Sequence, residues 1–537
     1  MHGSTEHALS AGVVGTSMVA SAHPLASQVG VGTLANGGNA FDAAVAVAAA
    51  LNVVEPFMSG LAGMGYATMW VAAEQRVRVL DFVPPIPRSF PAERFHARAQ
   101  LARGQFAVAP LGNLSGWCKL RDTYGVLPLA QLLEPAAQLA EAGFAIGRYG
   151  AGEINEHAPG LAACPIHGNA FRANYPCAQG IVPGDTIRQP DLARTLRQIA
   201  AAGEEAVYRG PLGERIVDHL ATHGGTLTVE DLAQVTAVWR EPVAGPYRGL
   251  VVHVPPPPCE GFQALLTLRI LDGFDLRQLG HGSAGHLDLM VRAVRLAASV
   301  RIANGCPDEV RLAGLLSDRS VNALRSRLRA GEATHGQTEQ WAPLPPGGEG
   351  PGHTTSFSVA DRDGNMVCVT QSLGSVFGSG VVVPGTGICL NNLLYWADVQ
   401  PGSPNRACPG GPLPMCMAPS ISTRDGVPEL ALGTPGSYGI LQTQPQALVN
   451  HIDFGMPLQA AIDAPRGRAW DGGFVEFENR IPPATIRALR SMGHDARPFP
   501  SAWTMKVGGI QAIRRDRDTG LFTGAADARR DGAAVPL

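Results

Sequence analysis

The apolar and polar positions between residues 23 and 54 spell two helices. His23-Pro24-Leu25 opens the first, which runs to Ala35, and Asn36-Gly37-Gly38-Asn39 stops it before a second over 42–54. The second is rich in alanine and apolar on every face, so it is expected deep inside the protein. A glycine-rich stretch, 59–66, then leads into two strand patterns at 67–71 and 77–82. Because that stretch enters a strand rather than a helix, it does not have the form of a phosphate-binding loop. From 127 to 330 the pattern is mostly helical, with amphipathic stretches at 127–142, 192–202, 212–223 and 286–304. A strand at 249–254 interrupts it, and the proline-rich turn 255–261 follows before a helix at 262–272. Short strands and hairpins dominate after 354, with further helices at 441–450, 457–464 and 483–491. Strands and helices in this order predict an α/β protein with two sheets between helical layers.

The sharpest change of texture falls at Thr354. A Gly/Pro-rich run, 343–353, ends at His353, and Thr354-Thr355-Ser356-Phe357-Ser358-Val359 begins a strand at once. Such a junction suits a precursor that cuts itself before a threonine, leaving a hydroxyl nucleophile and a free α-amine on one residue. Asp361-Arg362-Asp363-Gly364-Asn365 then supplies a hairpin turn, and 366–372 returns as the second strand. If Ala360 and Met366 flank that five-residue loop, Ser372 stands opposite Thr354, where a second hydroxyl orients the first; a slip of one residue turns it to the other face. The chain therefore reads as a hydrolase or acyltransferase.

Composition narrows the alternatives. The 537 residues are 45% hydrophobic and 16% charged, enough for a large core, and a net charge of −3 gives no nucleic-acid or membrane footprint. The longest apolar run, 43–54, is closed by Asp42 and Glu55 and is too short to cross a bilayer. Met1-His2-Gly3-Ser4-Thr5-Glu6-His7 lacks the basic and apolar segments of a secretory signal, so a cytoplasmic location is expected. The nine cysteines are scattered without a Cys-x-x-Cys pair, and the fifteen histidines show no zinc-protease spacing. Neither a disulfide framework, a metal nor another cofactor is expected.

Several segments, in order, resemble the γ-glutamyltransferase family of N-terminal-nucleophile hydrolases. They include Gly37-Gly38-Asn39-Ala40-Phe41-Asp42, Asn52-Val53-Val54-Glu55-Pro56, Gln189-Pro190-Asp191-Leu192, Gly378-Ser379-Gly380, Leu390-Asn391-Asn392, Asp463-Ala464-Pro465-Arg466 and Gly524-Ala525-Ala526-Asp527. The resemblance spans nearly the whole chain. It implies a four-layer αββα sandwich and cleavage between His353 and Thr354. The products would be a large chain, 1–353, and a small chain, 354–537, intertwined in one unit. Thr354 matches the family nucleophile, Ser372 a second hydroxyl that bonds to it, and Gly436 and Ser437 in Gly433-Thr434-Pro435-Gly436-Ser437 the loop whose amides hold an oxyanion.

The departures from the family concern the substrate. Where the family has Asp-Phe-Arg-Glu, whose arginine holds the donor carboxylate, this chain has Asp81-Phe82-Val83-Pro84. Polar anchors for the donor amine become Leu393 and Trp396, paired serines become Met415 and Cys416, and an asparagine becomes Gly374. A shifted alignment in which Arg88 or Arg406 supplies the anchor would need all of these changes to be misplaced together. The expectation is an amidohydrolase or acyltransferase for a small-molecule amide whose acyl part is not ordinary γ-glutamate, with water or an amine as acceptor. The alternatives are γ-glutamyl hydrolysis or transfer, carbon–carbon bond hydrolysis in a natural-product pathway, and an unprocessed, non-catalytic homologue.

Overall fold

The computed structural model describes residues 12–175, 180–332, 334, 336, 338, 354–403 and 406–537. Among them, fourteen strands build two seven-stranded sheets. In chain order these are β1 Val13–Gly15, β2 Met18–Ser21, β3 Met64–Val71, β4 Arg76–Asp81, β5 Val238–Arg240, β6 Val243–Tyr247 and β7 Leu250–Val254. They continue with β8 Thr355–Ala360, β9 Met366–Ser372, β10 Ser420–Arg424, β11 Val427–Gly433, β12 Gln511–Arg515, β13 Phe522–Ala526 and β14 Ala533–Pro536. One sheet runs β14-β2-β8-β9-β3-β4-β5 and the other β1-β13-β12-β11-β10-β7-β6, with antiparallel neighbours throughout. In the first, β8 and β9 lie between β2 and β3, so strands from either side of position 354 interleave.

Side-chain alternation explains why these strands are apolar on both faces. Val19 on β2, Phe357 and Val359 on β8, and Val367 and Val369 on β9 join a core that includes the helix residues Val45, Ala49 and Val53. Their neighbours Met18, Ala20, Met366 and Cys368 instead meet Ile421, Ala431, Ile513 and Phe522 from the opposite sheet. A period of two thus sends odd positions of β8 and β9 to the helices and even positions to the other sheet. Leu430, Leu432, Val252 and Val254, on the outer side of that second sheet, share a third core with Phe262, Leu266 and Ile440.

Helix α1, Pro24–Ala35, packs on β2 and β14, and α2, Ala40–Val54, on β8 and β9. Every residue of α2 is buried. Asn39 and Asp42 cap its start reciprocally, and Ala40 N–H donates to Asp361 Oδ2 at 2.8 Å, which clips the β8–β9 hairpin to the helix. Helix α3, Phe262–Leu271, covers β6 and β7 and packs against α4, Ala284–Asn304, and α5, Ile440–Ile452.

The helices expected from periodicity are present, with ends moved by a few residues; Pro483–Ser491 is found as expected. Strands β1, β2, β5, β6, β12, β13 and β14 have no counterpart in the sequence reading. Two of them are interrupted by small or turn-forming residues (Val-Ala-Gly-Pro-Tyr in β6, Phe-Thr-Gly-Ala-Ala in β13), and such segments become strands only because neighbours pair with them. Cys118, Cys164, Cys259, Cys306, Cys368, Cys389 and Cys408 are free thiols. No helix among the described residues is long and apolar enough to cross a membrane.

Candidate active site

Ala360 pairs with Met366 and Thr355 with Gln371, which places Thr354 across from Ser372 in the expected register. Thr354 precedes the first residue of β8, and both it and Ser372 have the parity of Ser356 and Cys368, the positions turned toward the second sheet. Thr354 Oγ1 donates to Ser372 Oγ at 3.3 Å, and Gly374 N–H donates to the same serine oxygen at 2.9 Å. Both hydroxyl residues are buried. His353 lies outside the described residues.

The Gly433–Ser437 loop leaves β11 at the same end of the molecule. A Cβ on Gly433 would stand only 2.2 Å from Ser356 Oγ, so the sheets approach here as closely as backbone allows. Beyond it Gly436 takes φ +130° and Ser437 φ +59°, both in the left-handed half of backbone space, before α5 begins at Ile440. Holding a serine there costs roughly 1–2 kcal/mol, a strain of the kind that persists where surrounding structure over-determines a loop. Thr434 Oγ1 accepts from Gly509 N–H at 3.1 Å and fixes the loop from the other side. Ser437 Oγ is buried with no hydrogen-bond partner.

On the opposite face of β8, Thr355 Oγ1 donates to Glu55 Oε2 at 2.7 Å. Glu55 ends α2, and its other oxygen accepts from Arg530 Nη2 at 2.5 Å. Arg530 Nη1 donates to the Thr354 carbonyl at 2.9 Å. Burial works against the charge of Arg530, but Glu55, together with Tyr149 and Glu153, holds the guanidinium above its ordinary range. Thr354 is therefore fixed through its side chain by Ser372 and through its carbonyl by a buried ion pair. Sequence reasoning assigned no role to Glu55 or Arg530. The signal was available at one end: a carboxylate closing a wholly apolar helix needs a cation.

The other expected positions fall on one apolar wall. Leu393, Trp396, Met415 and Cys416 are buried together in the core that also holds Tyr438, and Val83 packs against it half-buried. The Trp396 and Tyr438 rings lie 5.9 Å apart, which carries the wall to the residue after Ser437. Cys259 bridges Met415, Glu260 N–H donates to the Met415 carbonyl at 2.9 Å, and the proline turn thus backs the wall as a rigid support. Behind Tyr438, Arg301 places its guanidinium 4.3 Å from the ring centroid and pairs with Glu260 at 2.7 Å. Arg98 covers the outer side, 4.0 Å from the Tyr395 centroid and 4.7 Å from that of Trp396. Trp396 Nε1 and Asn392 Oδ1 are buried without partners.

Gly374 has a more physical reading than the loss of a polar anchor. It takes φ +101°, and a Cβ there would stand 2.4 Å from Asn392 Oδ1, so the course of the backbone leaves no room for an asparagine. Arg88 and Arg406 are directed elsewhere: Arg88 Nε donates to Gln234 Oε1 at 3.0 Å and Arg406 Nη2 to the Ala92 carbonyl at 3.4 Å.

Burial raises the Asp81 carboxyl to about 6, against the pull of the Val83 N–H, 3.1 Å from Oδ1, and of Arg240. A raised carboxylate pKa adds stability that is complete below the ordinary value of 3.8 and is lost as pH rises through about 6. Asp81→Asn keeps an acceptor for Val83 but removes this cost. Relative to the native protein, the variant is expected to gain on the order of 2 kcal/mol between pH 4 and pH 7, measured as the pH dependence of its urea unfolding.

Comparison with known proteins places this geometry. The family model described as gamma-glutamyltranspeptidase matches residues 26–537. The acylase ACY 1 proenzyme of Pseudomonas sp. (strain SE83) is 37% identical over 97% of this chain and 93% of its own length. The glutathione hydrolase proenzyme of Bacillus subtilis (strain 168) is 32% identical over 97% of this chain and 91% of its own. The crystal structure of cephalosporin acylase from Bacillus halodurans superposes with a TM-score of 0.87 at 30% identity, covering 100% of this chain and 99% of the other. The relatives are thus hydrolases and acylases named as proenzymes, the class into which this fold falls. The chain belongs to the gamma-glutamyltranspeptidase family.

Proposed function

We propose that the protein is a self-processing amidohydrolase whose nucleophile is the Thr354 hydroxyl, acting on an amide with an acyl group other than γ-glutamate. The observation that carries this reading is the Thr354 Oγ1 to Ser372 Oγ hydrogen bond, 3.3 Å long, on the face of β8 and β9 turned toward the sheet that bears the Gly433–Ser437 loop. In maturation, Thr354 Oγ attacks the His353 carbonyl carbon. The C–O bond forms, the C–N bond breaks, and the Thr354 nitrogen takes the proton. Water then cleaves the ester, leaving a carboxylate on His353 and a free α-amine on Thr354. Residues 1–353 and 354–537 remain as large and small chains of one interleaved unit, arranged as a four-layer αββα sandwich.

In the mature enzyme the α-amine takes the hydroxyl proton as Oγ attacks the substrate amide. The Gly436 and Ser437 N–H groups hold the oxyanion, each such donor lowering the barrier by roughly 2.7–4 kcal/mol. Collapse expels the amine product, which receives the proton, and water or an amine acceptor then releases the acyl group from Thr354. Ser372, fixed by Gly374 N–H, holds the nucleophile in the attacking rotamer.

The apolar wall sets the substrate class. Leu393, Trp396, Met415 and Cys416 offer no counter-charge to an amino-acid head. Trp396 Nε1 gives the acyl group one donor to meet, and Arg98 supplies a cation at the wall's outer side. The acyl group of choice lacks an α-amine, in keeping with the cephalosporin acylase among the structural neighbours. On anilides of equal leaving group, glutaryl or neutral acyl donors are expected to exceed the γ-glutamyl donor in kcat/KM by at least about a hundredfold, near 2.7 kcal/mol. Equal or faster turnover of the γ-glutamyl anilide would overturn the substrate assignment. An active protein that stays a single chain, by denaturing electrophoresis and N-terminal sequencing, would overturn the mechanism.

A further inference from the structure

Away from Thr354, the fold gathers three histidines that the spacing of residues along the chain does not connect. His219 and His223 stand one turn apart at the end of the helix Pro211–Thr222, and His167 caps the start of the helix Gly168–Asn174. One ligand nitrogen from each lies within 4.8 Å of the other two. The ring centroids are 5.0 Å apart for His167 and His223, 5.1 Å for His219 and His223, and 5.9 Å for His167 and His219. His167 is buried and the other two are half-buried, so the cluster has one side toward the interior and one toward solvent.

Hydrogen bonds fix which nitrogen of His167 is available. Gln105 Nε2 donates to the His223 carbonyl at 2.8 Å, which settles the orientation of that amide. Its Oε1 then faces His167 Nε2 at 3.3 Å. An amide oxygen only accepts, so Nε2 carries the hydrogen and the lone pair sits on Nδ1. His167 Nδ1 is buried without a partner, and so is His219 Nε2. Two unsatisfied nitrogens in one cluster of imidazoles call for a shared occupant. Gln105 acts on His167 as the outer hydrogen-bond partner of a metal-binding histidine does, fixing tautomer and ring orientation.

We propose that His167, His219 and His223 bind a divalent transition metal ion of the zinc class, with water completing the shell on the solvent side. Three neutral imidazoles suit Zn²⁺, Ni²⁺ or Cu²⁺ rather than the oxygen-seeking Mg²⁺ or Ca²⁺. Bonds of about 2.0–2.1 Å to a tetrahedral centre put ligand nitrogens roughly 3.4 Å apart, a closure that side-chain rotation supplies from the present spacing. The site would also brace the catalytic region. Gln105 belongs to a segment in which Gly104 N–H donates to the Ser379 carbonyl at 2.9 Å, and Asn392 Nδ2 donates to the Ala102 carbonyl at 2.8 Å. Metal bound between the two helices ties that segment, and with it the loop after Ser372, to the large-chain helices.

The test is a Zn²⁺ titration of chelator-stripped, full-length protein by calorimetry, with the Co²⁺ absorption spectrum as a second reading of the ligand set. One ion per chain with Kd of about 1 µM or tighter is expected, and a rise in thermal midpoint with added metal. Gln105→Leu should weaken binding by about 10–100-fold, and His219→Ala, at a half-buried position that does not threaten the fold, by at least as much. His167→Ala is compared by circular dichroism first, and His223→Ala serves in its place if the fold is lost. The proposal fails if the native protein binds no Zn²⁺ tighter than about 100 µM, or if both His219→Ala and His223→Ala bind it as the native protein does.

Discussion

Thr354→Ala is expected to run as one band of full length and to lose kcat/KM by at least about 10³-fold, some 4 kcal/mol of barrier, because the atom that attacks both the chain and the substrate in the proposed mechanism is gone. The same substitution should hardly touch the fold. The hydroxyl it removes is buried and donates to Ser372, a bond worth on the order of 1 kcal/mol, and Ser372 keeps its Gly374 partner. Loss of activity with an almost unchanged thermal midpoint therefore separates chemistry from stability. Thr354→Ser keeps the alcohol and the amine while losing a methyl that restricts the rotamer, so it should process and turn over more slowly, within about 10²-fold of the native enzyme. Cleavage before residue 354 in the alanine variant, or turnover by it near the native rate, would place the nucleophile elsewhere.

Much of this site was legible because strand alternation and turn length are local properties. The five-residue turn after Ala360 fixed the register, the register put Ser372 opposite Thr354, and parity put both on one face. The apolar character of Leu393, Trp396, Met415 and Cys416 was legible as well, and the structure gathers them into one wall. What stayed hidden depends on contacts between distant parts of the chain. Glu55 and Arg530 are separated by most of the sequence and meet only because α2 ends beneath β8. Tyr438 reaches the wall through the Trp396 ring, and the left-handed backbone of Ser437 breaks the local preference that a sequence reading relies on. The short strand β13 and the edge strand β14 owe their conformation to their neighbours in the sheets. The histidine cluster shows the same limit: the i, i+4 pair stands at the end of the Pro211–Thr222 helix, and the third member precedes a different helix.

The ion pair beneath Thr354 gives the other large effect. In Glu55→Ala the Arg530 guanidinium, fully buried, loses its carboxylate, and Thr355 loses the acceptor of its hydroxyl. Removing one partner of a buried pair strands the other, at about 3–5 kcal/mol, so urea unfolding should show a loss of that size. If the penalty comes from the stranded charge, adding Arg530→Met must recover part of it, and a double-mutant cycle should give a coupling well above 1 kcal/mol. Single and double variants of equal stability would mean that the pair is not coupled as the geometry requires. Arg530→Met also tests the link to chemistry. The guanidinium holds the Thr354 carbonyl at 2.9 Å and so stands close to the amine that the proposed cleavage would release. On that mechanism a cation there disfavours protonation of the amine, so removing it should move the acid limb of kcat/KM to higher pH, and a purely structural role for Arg530 would leave the limb where it is.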